Sequence, residues 1–154
     1  ALQYLYMKLV LLDNTLIHFF RRISVPVARV SLFIIFFWFG ILKVLGLSPA
    51  SGLVQSLFEQ TIPFMPFSVF LVLFGILEMI IGVLFLFKRT TRLVIPLLFL
   101  HMITTIVPLF MLQSETWSGF LVPTLEGQYI IKNVVVVAAA IGIAAHLHPL
   151  KRSL

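Results

Sequence analysis

The chain has 154 residues, of which 61% are hydrophobic and 10% charged, with a mean hydropathy of +1.16 and a net charge of +6. Soluble domains carry about 25% charged residues, so this pool cannot clothe a water-facing surface, and its length fits one domain. The sequence holds no cysteine, which excludes disulfides, thiolate metal sites and dithiol redox chemistry.

At the start of the chain, Leu2, Leu5, Leu9, Leu12 and Leu16 recur at helical spacing, and Lys8, Asp13, Asn14 and Thr15 supply a polar side. This pattern predicts an amphipathic helix over residues 1–22 that lies at the cytoplasmic interface of a membrane. A cleaved signal peptide is the alternative, but the basic flank and small-residue cleavage site are not where it needs them. The chain opens on Ala1 rather than Met, which points to processing or to a start further upstream.

Residues 23–154 form the predicted bundle. A bilayer-crossing helix needs about 20 apolar residues, and four stretches qualify: Pro26–Leu47, Phe67–Phe87, Leu93–Leu112 and Gln128–His148. Ser48-Pro49-Ala50-Ser51-Gly52 ends the first, and Pro63 and Pro66 introduce the second. Lys88-Arg89-Thr90-Thr91-Arg92 makes a tight basic turn, and Gln113 to Gly127 joins the third to the fourth. The runs are continuously apolar and lack the alternation of a membrane β-barrel. The expected fold is therefore an all-α membrane protein, a four-transmembrane-helix bundle preceded by an interfacial helix.

Lys8, Arg21, Arg22, Arg29, Lys88, Arg89, Arg92, Lys151 and Arg152 fall on one side of this arrangement. The opposite loops hold Glu59, Glu115 and Glu126, with no Lys or Arg. The positive-inside rule puts the basic side, and both termini, in the cytoplasm. The net charge then needs no nucleic-acid partner, and a basic surface attracts anionic lipid headgroups.

Polar residues within apolar spans must be stabilised by a partner or by water. Glu78 shares a helix face with Gly75 and Gly82, a face that lets a neighbouring helix approach closely and bury the carboxylate. His101 lies near the middle of the third span, followed by a polar stripe of Thr104, Thr105 and Pro108. At about 1.5 Å per residue, Glu78 and His101 are both roughly 17 Å below the outer boundary, so they are placed to meet. Lys43, late in the first span, and Lys132, early in the fourth, share a shallower level, with Asn133 beside Lys132. Two ammonium groups at one level repel unless carboxylates or a ligand lie between them, and Glu59 and Glu126 are candidate counter-charges. Lys43, Lys132 and Asn133 are accordingly expected to line one cavity between the first and fourth helices.

Gly40-Ile-Leu-Lys43, the Gly75/Glu78/Gly82 pattern and Glu126-Gly127-Gln128-Tyr129-Ile130-Ile131-Lys132-Asn133 resemble the DoxX-like membrane proteins, most nearly their reactive-chlorine-resistance branch. Thr104-Thr105, Ser114-Glu115-Thr116-Trp117 and the small residues after Asn133 add to a resemblance that covers residues 21–148. It implies a four-helix protein of the bacterial inner membrane, associated with redox or oxidative-stress functions and with quinone-reducing assemblies.

The candidate ligand-binding residues are therefore Lys43, Glu78, His101, Lys132 and Asn133. Plainer readings stand beside this one: a buried Glu–Lys or Glu–His pair that only locks helices together, or lysines that snorkel to the interface. No metal or haem signature is readable, because His101 has no second His at matching depth, and no Gly-rich nucleotide loop is present. Three functions fit these features. One is a redox-type subunit that binds a quinone-like lipid or an electron-transfer partner. Another is a structural subunit that assembles with other membrane proteins or with itself. The last is a transporter or channel, which needs an oligomer.

Overall fold

The computed structural model describes residues 2–62 and 64–149. Pro63, Lys151 and Arg152, which entered the reading of the loops and charges, lie outside the described residues, as do the side chains of Leu2 and Leu5. Four helices are long and apolar enough to span a membrane, and they form an all-α bundle.

Helix α1 runs unbroken over Leu2–Val44, 43 residues or about 65 Å long. Between Leu2 and Val25 the sequence has neither Gly nor Pro, so nothing ends the helix at the expected boundary near residue 22. Pro26 removes one backbone donor, leaving the Arg22 carbonyl without its usual partner, but α1 continues through it. The boundary is one of packing. From residue 3 to residue 22 every described side chain is exposed, whereas Arg29, Leu32, Phe36, Gly40 and Lys43 are buried at spacings of three and four. α1 stops at Gly46, whose φ of +70° is one that glycine adopts without a Cβ penalty. The Gly46 amide donates to the Lys43 carbonyl and the Leu47 amide to the Leu42 carbonyl, which closes the helix end.

The loop after α1 contains a helix the sequence reading left out, α2 (Ser51–Thr61). Phe58 anchors it, 5% exposed, with its ring 5.5 Å from Phe67 and 4.8 Å from Phe70. Helix α3 (Phe67–Leu86) matches the second predicted span, and the basic turn is a 3-10 turn over Lys88–Thr90. The third span is divided into α4 (Thr91–Ile106) and α5 (Pro108–Met111), because Pro108 has no amide proton with which to continue the ladder. Next come α6 (Gln113–Thr116) and a small antiparallel hairpin of β1 (Trp117–Gly119) and β2 (Val122–Pro123), where a connecting loop was expected.

Helix α7 (Leu125–Ala144) begins earlier and ends earlier than the span read from Gln128 to His148. The Thr124 hydroxyl accepts from the Gly127 amide at 3.2 Å and donates to the Glu115 carbonyl at 2.7 Å, which caps the helix and ties it to α6. A Cβ on Gly127 would lie 2.1 Å from the Thr116 carbonyl oxygen, so only glycine permits this approach. The apolar core draws on all four long helices: Leu32 and Phe36, Ile81 and Phe85, Val94 and Leu98, and Val136, Ala140 and Ile143.

Candidate functional site

The site is positioned by the contact between α1 and α3. A Cβ on Gly40 would be 2.6 Å from the Gly75 carbonyl oxygen, and one on Gly75 would be 2.6 Å from that of Gly40. Gly82 lies against Phe33, Phe36 and Phe37, so the helices run antiparallel with their backbones touching. In a helix each Cα–Cβ bond tilts toward the N-terminus. In an antiparallel pair, side chains from the two helices therefore lean toward each other along the axis. Lys43 leans toward the basic end of the bundle and Glu78 toward the hairpin end. Their charged groups meet, with Lys43 Nζ 2.6 Å from Glu78 Oε2 and both side chains 7% exposed.

His101 enters from α4, with Nε2 3.3 Å from Glu78 Oε1 and a side chain 2% exposed. Its ring is flanked by Phe36 at 5.5 Å, edge-on, and by Phe74 at 5.0 Å. The Lys43 ammonium is also 5.5 Å from the centre of the Phe74 ring. The three polar residues thus come from three different helices. Nε2 is the ring nitrogen that faces the carboxylate. The other ring nitrogen, Nδ1, is buried and has no hydrogen-bond partner.

The sequence-derived site residues divide into two groups. Lys43, Glu78 and His101 are brought together. Lys132 and Asn133 do not join the buried cluster with Lys43: Lys132 is exposed, its ammonium 5.4 Å from the centre of the Tyr129 ring, and Asn133 is half-buried. The expected shared level of Lys43 and Lys132 was judged from backbone depth, whereas the Lys43 side chain leans down toward Glu78 instead. The expected counter-charge Glu59 accepts from Gln55 at 2.9 Å. Thr104 and Thr105 turn their hydroxyls back onto the His101 and Met102 carbonyls, at 2.7 and 2.9 Å, and form no polar stripe around the cluster.

Tyr129 and Lys132 stand three or four residues apart on the same side of α7 as buried Val136, Ala140 and Ile143, yet both are exposed. The buried face of α7 thus turns along its length: Val136, Ala140 and Ile143 carry it toward the basic end, and Gly127, against Thr116, carries it at the hairpin end. In the sequence Arg29 counts among the cytoplasmic charges, at the end of the α1 face that also carries Gly40 and Lys43. It is 8% exposed, and its guanidinium donates to the Phe85 and Phe87 carbonyls at 2.9 and 3.4 Å and to the Thr91 hydroxyl at 2.7 Å. The signal for this role was its place on the buried stripe with Leu32 and Phe36. Arg29 fastens α1 to the α3–α4 turn.

Comparison with protein-family models, with curated proteins and with solved structures gives no match. Among the described residues no three His, Cys, Asp or Glu side chains are grouped closely enough to hold a metal ion. What the cluster offers is an unpartnered ring nitrogen and a closed ion pair among apolar and aromatic side chains. That chemistry suits a polar headgroup carried on an apolar molecule.

Proposed function

We propose that this chain is a small DoxX-like subunit of redox or oxidative-stress type in the bacterial inner membrane, and that it binds a quinone-like lipid. An electron-transfer partner in the same membrane fits the same class of function. Both termini are on the cytoplasmic side in this reading, because Lys8, Arg21, Arg22 and Arg29 of α1 and the basic residues of the α3–α4 turn fall at one end. Residues 3–22, exposed wherever their side chains are described, extend α1 beyond the bundle at that same end.

One observation carries the ligand-binding reading: the unpartnered Nδ1 of His101, buried among Lys43, Glu78, Phe36 and Phe74. A polar atom sealed in an apolar bundle is costly without a partner, and an intramembrane ionisable cluster marks a functional site by default. The test is to purify the chain in mild detergent and identify the lipids extracted with it by mass spectrometry. A quinone enriched over that found with an unrelated membrane protein purified in parallel supports the proposal. The same quinone content in both preparations refutes it.

A second reading is favoured by the closure of the Lys43–Glu78 pair at 2.6 Å, which satisfies both charges without a ligand. In that reading the chain is a noncatalytic assembly subunit, and the cluster fixes the register of its helices. Purification would then yield partner proteins with no enriched quinone.

A further inference from the structure

We infer that two copies of this chain pair through the N-terminal stretch of α1, as a parallel two-helix coiled coil beyond the basic end of the bundle. Leu2, Leu5, Leu9, Leu12, Leu16 and Phe19 follow one another at alternating steps of three and four. These are the a and d positions of three heptads, and every one of them is apolar. Each of the other five heptad positions carries at least one polar residue between Gln3 and Arg22. Where the side chains of this seam are described they are bare: Leu9 and Leu12 are 59% exposed, Leu16 46% and Phe19 54%. At about 3.6 residues per turn, Leu16 falls on the side of α1 roughly opposite to Phe36, which is buried in the bundle. The seam therefore faces away from the chain's own bundle. Because α1 runs through Pro26 unbroken, it carries the seam outward from the span.

Charge selects the occupant. Asp13 is the only acid in α1. It has no basic residue three or four positions away, and Lys8 has no acid at those distances, so neither finds a partner on its own helix. Among the described residues neither enters an ion pair, and the Lys8 ammonium lies 4.7 Å from the centre of the Tyr4 ring. Lys8 is a g position, and Asp13 is the e position five residues on. In a parallel coiled coil that spacing sets each Lys8 against the Asp13 of the second copy, twice over by symmetry. Copies inserted in one membrane with one topology present these helices parallel, and the shared anchoring raises the effective concentration of one at the other. A lipid surface is the weaker occupant. Interfacial helices bring many Lys and Arg to their polar face, whereas residues 3–20 hold one Lys and one Asp.

The experiment is oxidative cross-linking of single-cysteine variants of the full chain in the membranes of the cells that make it, since the chain has no cysteine of its own. Leu12→Cys, at a d position of the seam, is expected to give a disulfide dimer of twice the chain's mass. Asn14→Cys, exposed at an outer f position, is expected to give little or none under the same oxidant. With Leu12→Cys in place, Asp13→Lys sets like charges against each other and should lower the dimer yield roughly fivefold. Adding Lys8→Asp reverses both pairs and should restore the yield. All these positions lie outside the bundle, so its fold is not at stake. Equal yields at Leu12 and Asn14, or no dimer from either, overturn the inference. A Leu12→Cys chain that is shielded from a water-soluble thiol reagent yet forms no dimer overturns it in favour of lipid. A dimer yield indifferent to Asp13→Lys overturns it as well.

Discussion

Gly40 and Gly75 touch backbone to backbone, each standing where a Cβ on the other would be 2.6 Å from its carbonyl oxygen. This contact sets the register that brings Lys43 over Glu78, so packing and site chemistry depend on the same two glycines. Gly75→Leu is expected to force the helices apart and cost about 1–3 kcal/mol or more. Gly142→Ala is the control, since nothing lies within 4 Å of its added Cβ, and it should be neutral or stabilising by up to about 1 kcal/mol. Thermal unfolding in detergent compares the two.

Removing one member of the buried ion pair leaves the other without compensation. Lys43→Met and Glu78→Leu are each expected to destabilise by about 3–5 kcal/mol. The double variant should recover a large part of that loss, because both charges leave together. Additive losses in the double variant would show that the two residues do not act as a pair. Ile80→Leu, at a position 47% exposed on the same helix, should be tolerated.

Arg29 separates two roles that a basic residue plays at the end of a bundle. Arg29→Lys keeps the charge that orients the chain but loses the planar fork that reaches the Phe85 and Phe87 carbonyls and the Thr91 hydroxyl. The expected outcome is unchanged topology with a clear loss of stability, on the order of 1–3 kcal/mol. Wild-type stability in the Lys variant would show that the charge alone suffices.

Orientation is checked with single cysteines, since the chain has none of its own. Ser118→Cys, in the hairpin, should react with an impermeant thiol reagent on intact cells. Arg89→Cys, exposed in the basic turn, should react only after the cells are opened. The reverse pattern inverts the proposed topology.

Much of the architecture was legible in the sequence because burial in lipid and burial in protein leave different marks. The four apolar runs gave the helices, and the Gly75/Glu78/Gly82 spacing gave a close-packed face with an acid in it. The partner of Lys43 was legible only in part: a buried Glu–Lys pair stood among the plainer readings, while counted depth set Lys43 level with Lys132. Depth counted along a helix locates its Cα, whereas a lysine side chain is long enough to reach a carboxylate a turn away, and antiparallel packing tells it which way to lean. The bonds made by Arg29 were not legible for a related reason, since a charge count treats it as a topological signal and says nothing about the carbonyls around it. Helix α2 and the hairpin were missed because their apolar runs are short and their Pro and Gly residues read equally well as loop.

The most direct test of the ligand site is a titration of folded variants with a short-chain benzoquinone, followed by equilibrium binding in nanodiscs. Lys43→Gln and Glu78→Gln keep polar groups at both positions while removing the charge pairing that orients His101. The account predicts saturable binding to the unaltered chain and at least a tenfold loss in each variant that retains its helical fold. Equal affinity in the unaltered chain and in both folded variants would contradict it.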